Sequence, residues 1–200
     1  MFTGIVETTG IIEEIQDHSG NKTFMVSSAI SNDLKTDQSV MHNGVCLTVE
    51  EDGKNGLHRV TAIQETLKKT MLSACKKGDA LNLERSMTSD GRVDGHFVQG
   101  HVDTCGTVSE ILDLGGSREY HIHFPEEFEN LIVPQGSICL NGISLTVSTS
   151  NPEKHTFGVS IIPFTLEITN LKHLQINDRV NLEFDIIGKY INKIMSRLTT

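Results

Sequence analysis

Asn43-Gly44-Val45-Cys46-Leu47-Thr48-Val49 returns 98 positions later as Asn141-Gly142-Ile143-Ser144-Leu145-Thr146-Val147. Each copy opens on Asn-Gly, the pair best suited to a two-residue hairpin turn. Each continues with apolar residues at alternate positions, the period of a strand with one buried face. Outward from this segment the correspondence persists. Ala80-Leu81-Asn82-Leu83-Glu84 answers to Arg179-Val180-Asn181-Leu182-Glu183, and Glu65-Thr66-Leu67 to Phe164-Thr165-Leu166, both 99 positions on. Gly4-Ile5-Val6-Glu7 answers to Gly100-His101-Val102-Asp103, 96 positions on. Four matches in one order, with offsets that drift so little, identify an internal duplication. A period near a hundred residues is too long for a solenoid and means two folded units.

Within each copy the pattern is β. Ile138-Cys139-Leu140 leads into the Asn-Gly turn, and Phe157-Gly158-Val159-Ser160-Ile161 and Val180-Asn181-Leu182-Glu183-Phe184-Asp185 alternate as well. Asn55-Gly56, Lys77-Gly78-Asp79 and Gly115-Gly116 punctuate the chain as turns. Many short strands at this spacing predict a small closed barrel in each half. Glu65 to Leu72 and Thr165 to Leu171 are expected to be short helices. The tail differs: Ile187, Tyr190, Ile191, Ile194, Met195 and Leu198 recur in steps of three and four, the rhythm of an amphipathic helix. It has no counterpart between the halves, and either packs on its own barrel or joins copies of the chain.

Composition narrows the function. Of 200 residues, 37% are hydrophobic and 22% charged, an ordinary globular profile. The formal charge of -9 argues against a nucleic-acid partner, which would call for a basic face. Lys68-Lys69 and Lys76-Lys77 read as solvated surface. No run is long and apolar enough to cross a bilayer, and Met1 to Glu7 lacks the character of a signal peptide, so no membrane association and a cytoplasmic location are expected. Cys46, Cys75, Cys105 and Cys139 show no C-x-x-C spacing and are expected to be free thiols.

The residues that could carry chemistry are repeated too. Cys46 with Thr48, and Ser144 with Thr146, stand two apart on a strand and share one face. His96 and His101 flank the crossing between the halves. No Cys or carboxylate cluster completes a metal site around them, so an acid, base or hydrogen-bonding role is expected. His121 and His123 read as surface or packing residues. Neither a phosphate-binding glycine loop nor a Gly-x-Ser-x-Gly elbow is present. From the residues alone, the reading ends at two related pockets for a polar small molecule.

These segments together carry a resemblance. Met1-Phe2-Thr3-Gly4-Ile5-Val6-Glu7, both Asn-Gly-x-x-Leu-Thr-Val copies, Gly95-His96 through Gly100-His101-Val102, Ile162-Pro163-Phe164-Thr165-Leu166-Glu167 and Asn181-Leu182-Glu183-Phe184-Asp185-Ile186-Ile187-Gly188-Lys189-Tyr190 resemble riboflavin synthases of the alpha-chain type. The resemblance spans the chain in order. It implies a mainly β fold of two tandem six-stranded Greek-key barrels, residues 1–97 and 98–186, and a C-terminal trimerisation helix over 187–200. It implies four-carbon transfer between two molecules of 6,7-dimethyl-8-ribityllumazine, giving riboflavin and 5-amino-6-ribitylaminouracil, without metal or separate cofactor. The working site would lie between the N-terminal barrel of one subunit and the C-terminal barrel of a neighbour in a homotrimer, and association with lumazine synthase belongs to the same expectation. Non-catalytic antenna proteins that bind the lumazine share the duplication. Retention of a hydroxyl or thiol with Leu-Thr in both halves favours the enzyme.

Carried onto this sequence, the resemblance puts Gly4, Ile5 and Val6, Cys46, Leu47 and Thr48, and Thr61, Ala62, Ile63, Gln64, Glu65 and Thr66 in the N-terminal pocket. It puts Gly100, His101 and Val102, Ser144, Leu145 and Thr146, and Ser160, Ile161, Ile162, Pro163, Phe164 and Thr165 in the C-terminal one. Cys46, His101, Ser144, Thr146 and Asp185 are the catalytic candidates. Phe164 stands where the family often has a polar residue, and Gln135 where lysine is common.

Overall fold

The two Asn-Gly turns fold as hairpins of the same kind: Asn43 and Gly44 have φ of 47° and 85°, Asn141 and Gly142 of 46° and 81°. Such a turn matches the right-handed twist of its strands. The computed structural model describes residues 1–198. Its first half holds β1 (Thr8–His18), β2 (Asn21–Ser27), β3 (Ser39–His42), β4 (Val45–Thr48), β5 (Leu57–Ala62), α1 (Gln64–Lys69) and β6 (Ala80–Arg85). The second repeats the order with β7 (Thr104–Asp113), β8 (Arg118–His123), β9 (Ser137–Leu140), β10 (Ile143–Asn151), β11 (Thr156–Ile161), α2 (Pro163–Ile168) and β12 (Arg179–Phe184), followed by α3 (Ile186–Leu198). The expected C-terminal helix is α3; residues 199 and 200 lie outside the described ones.

Strand order is β4-β3-β6-β1-β2-β5 in the first half, and the second has the matching order closed into a barrel. Closure differs in extent. In the second half β10 runs on beside β11, pairing Val147 with Val159 and Asn151 with Thr156. In the first half β4 stops at Thr48, and the ends of the sheet meet in one bridge, Val49 to Val60. Ser148-Thr149-Ser150-Asn151 continues the strand, whereas Glu50-Glu51-Asp52-Gly53 turns the chain away. There Gly53 packs so closely on the Ser31 carbonyl that no side chain would fit. Each barrel has its own core, around Phe24, Val60 and Leu83 in the first and around Phe157, Val159 and Leu182 in the second.

A local twofold axis relates the halves and passes between Gly44 and Gly142. A Cβ on Gly44 would stand 2.9 Å from the Gly142 nitrogen, and one on Gly142 2.8 Å from the Gly44 nitrogen. Asparagines repeat across the axis. The Asn82 side-chain amide donates to the Asn141 carbonyl at 3.0 Å, and the Asn181 amide donates to the Asn43 carbonyl at 2.7 Å. Phe2, Met41, Val98 and Cys139 fill the space between the barrels. All four cysteines are free. Among the described residues, no helix is long and apolar enough to cross a membrane, and no group of three or more His, Cys, Asp and Glu could hold a metal ion.

Candidate functional site

The strand registers build the same outer face twice. Val49 pairs with Val60 and Val147 with Val159, all four buried in their barrels. Alternation therefore turns Thr48 and Thr61 outward side by side in the first barrel, and Thr146 and Ser160 in the second. Cys46 and Ser144, two residues before the threonines, extend each face. Exposed Ile63 and Ile162 border it where β5 and β11 lead into α1 and α2.

The other wall comes from the segments that lead into β1 and β7, and these cross between the barrels. The Ser144 N–H donates to the Gly4 carbonyl at 2.8 Å, and the Cys46 N–H donates to the Gly100 carbonyl at 2.8 Å. Val6 is part of the second barrel's core, and Val102 packs on the first's. The expected grouping is thus reversed. Gly4, Ile5 and Val6 belong to the face of Ser144, and Gly100, His101 and Val102 to the face of Cys46. Only glycine suits these crossings: Gly4 and Gly100 have φ of 76° and 80°, and a Cβ would lie 2.6 Å from Ser144 Cβ and 2.5 Å from Cys46 Cβ.

Two buried carboxylates fix the crossings. Glu84 accepts the Thr3 N–H at 2.6 Å, the Thr3 hydroxyl at 2.8 Å and the Gly4 N–H at 2.9 Å. Glu183 accepts the N–H groups of Gln99, Gly100 and His101 at 2.7, 2.9 and 2.8 Å. Burial pushes both carboxyls above their ordinary value, against the pull of these hydrogen bonds. Neither was among the expected site residues, although the repeated Asn-Leu-Glu was the signal that could have found them.

The second face holds one further contact. His96 Nδ1 lies 2.7 Å from the Ser144 hydroxyl oxygen. Burial lowers the pKa of His96, partly offset by the charge of Asp185. In the tautomer with Nδ1 unprotonated, a neutral imidazole accepts a hydrogen bond from the Ser144 hydroxyl, the arrangement that activates a hydroxyl; in the other tautomer the ring donates to it.

A lumazine binding domain matches residues 3–86 and again 99–185. A riboflavin synthase of Actinobacillus pleuropneumoniae is 39% identical over 98% of this chain and 90% of its own length. One from Bacillus subtilis is 35% identical over 98% and 91%. The chain belongs to the riboflavin synthase family. Among solved structures, LumP complexed with 6,7-dimethyl-8-(1'-D-ribityl) lumazine shares the fold with a TM-score of 0.82 at 21% identity, covering 92% of this chain and 99% of that one.

Within this riboflavin synthase framework the other expected residues divide. Leu47, Ala62 and Ile161 are buried in their barrels, and partly buried Leu145 packs on the second core, so these four face away from the outer surface. Thr66 and Thr165 are half-buried in the first turns of α1 and α2, while Gln64 and Pro163 are exposed there. Glu65 is exposed and paired with Lys69 at 2.9 Å, and its counterpart Phe164 is 65% exposed. Gln135 sits exposed at a turn with φ of 65°. His101 is exposed and anchored through its backbone. Asp185 accepts the Ile187 N–H at 2.9 Å at the start of α3, within electrostatic reach of His96. Cavities of about 760 Å³ over Ser109, His121 and Thr149 and of about 590 Å³ between the barrels touch none of the expected site residues, whereas one of about 530 Å³ takes in Thr3, Ile5 and Glu84 at the first crossing.

Proposed function

We propose that the chain catalyses the dismutation of two molecules of 6,7-dimethyl-8-ribityllumazine into riboflavin and 5-amino-6-ribitylaminouracil. The observation that carries this reading is the pair of like faces, one centred on Cys46, Thr48 and Thr61 and the other on Ser144, Thr146 and Ser160. A reaction whose donor and acceptor are the same compound needs two related sites, and holding both rings in register removes much of the entropic barrier. The four-carbon transfer requires a proton taken from the 7-methyl group of one lumazine and a nucleophile added at C7 of the other. Ser144 with His96, and the Cys46 thiol, are the groups placed to serve these steps, with Thr146 and His101 beside them and Asp185 acting through His96.

Both faces are open in the single chain, and they complete each other only between chains. In this reading the first barrel (residues 1–97) of one subunit meets the second (98–186) of a neighbour in a cytoplasmic homotrimer. The C-terminal helix α3 holds the subunits, and lumazine synthase is an associated supplier of substrate. Support comes from α3, where Ile187, Tyr190, Ile191, Ile194 and Leu198 are all more than half exposed. Incubating the purified protein with the lumazine should produce riboflavin fluorescence at the expense of substrate absorbance. Tight binding without product would overturn catalysis and leave a binding protein.

A further inference from the structure

One difference between the two faces lies at a matched pair of strand positions. In the first barrel Thr23 lies opposite Thr61, and their hydroxyl oxygens are 2.8 Å apart. In the second, Glu119 lies opposite Ser160. The Ser160 hydroxyl donates to Glu119 Oε2 at 3.1 Å, and Glu119 Oε1 lies 2.8 Å from His121 Nε2. Buried Tyr120 and Ile122 alternate with Glu119 and His121, so both side chains stand on the outer surface that carries Thr146 and Ser160.

This exchange changes what each face offers a ligand. Two hydroxyls in contact share one proton, so one of them keeps a free O–H to donate. A carboxylate only accepts, so the Ser160 proton is committed to Glu119 and its oxygen turns lone pairs outward. His121 occupies the second carboxylate oxygen and holds Glu119 in place. We propose that Glu119 is a specificity-determining residue acting through Ser160. It makes the second face select a ligand donor, such as a ring imide N–H or a ribityl O–H, where the first face also accepts an acceptor. The two otherwise equivalent sites thereby take their substrate molecules unequally. This inference rests on the reading of the faces as lumazine and riboflavin sites.

Titration of the full-length protein with riboflavin, followed by fluorescence quenching, tests it. The wild type should show two classes of site. In Glu119→Gln the amide donates to Ser160 and frees its proton, and one class should weaken about tenfold while the other stays within about twofold. Ser160→Ala should weaken the same class, and the double variant should bind no worse than either single one, the mark of residues acting as a unit. Thr23→Val should weaken the opposite class. With the lumazine as substrate, Glu119→Gln should raise KM more than it lowers kcat. Equal sites in the wild type, equal loss at both sites, no loss at either, or additive effects of Glu119→Gln and Ser160→Ala would overturn the proposal. Unaltered circular dichroism in each variant separates these results from misfolding. A wild type that binds no riboflavin would instead overturn the function proposed for the faces, and this inference with it.

Discussion

At the scale of residues, Ser144 and His96 form a hydroxyl–imidazole contact at the crossing, 2.7 Å long. Their variants should separate binding from chemistry. Ser144→Ala and His96→Ala are each expected to lower kcat at least tenfold, with lumazine affinity changed less than threefold. Wild-type turnover in both would clear the pair. A second pair of imidazoles has a different consequence. His42 and His58 are buried in the first barrel with Nε2 atoms 2.9 Å apart, and Ser31 Oγ lies 2.8 Å from His58 Nδ1. Burial is the main cause that lowers their pKa values to about 3 and about 4. Both are neutral in the fold, while the unfolded chain takes up protons below about 6.5. Stability contributed by the pair is therefore complete above that value and lost as pH falls toward 4, at up to about 1.4 kcal/mol per pH unit for each titrating group. Glu84 and Glu183, with values raised by burial, act with the opposite sign in the range above the ordinary carboxylate value. Urea midpoints at pH 7 and pH 5 should fall less in His58→Gln than in the wild type. The cysteines and the Cys46–Thr48 and Ser144–Thr146 pairs were legible as letters. Glu84 and Glu183 were signalled only by the repeated Asn-Leu-Glu, and Glu119 not at all, because a carboxylate in an alternating strand looks like solvated surface until the neighbouring strand is placed.

Among elements, the hairpins follow directly from Asn-Gly and alternation. The short helices do not, and each is cut shorter than its apolar rhythm suggests. α1 ends before Thr70, which is extended at φ −123° and ψ 160°, and Thr169 closes α2 in the same way. After each break the chain turns toward the other barrel: the Met71 N–H donates to Asn181 Oδ1 at 2.7 Å, and the Asn170 N–H to Asn82 Oδ1 at 2.8 Å. Periodicity cannot report a break whose cause is a partner from the other half of the chain. The tail helix is different, since its stripe is written in the sequence and the fold leaves Ile187, Tyr190, Ile191, Ile194 and Leu198 more than half exposed. A chain ending at Gly188 should keep its β circular dichroism but lose its assembly, read as a drop to monomer mass in light scattering. An unchanged mass would refute α3 as the subunit contact.

The molecule as a whole is two barrels clasped about an axis, each holding the other's leading segment. The duplication and its offsets were plain from the sequence. Which barrel each segment serves was not, because exchanging two equivalent segments leaves the repeat pattern unchanged. The clasp should make unfolding one event. Gly142→Ala sets a Cβ 2.8 Å from the Gly44 nitrogen at φ 81°. It should cost roughly 2–3 kcal/mol, from backbone strain and the displaced neighbour together. Calorimetry should then show a lower Tm with a single transition, and two separated transitions would show barrels that unfold independently. The reciprocal bonds of Asn82 and Asn181, and the facing glycines, have the form of an isologous dimer contact carried inside one polypeptide. In a true homodimer each change on one side is forced on the other. Tandem copies in a single chain escape that symmetry, and Thr23 and Glu119 stand where the escape has given one half a charge the other never needed.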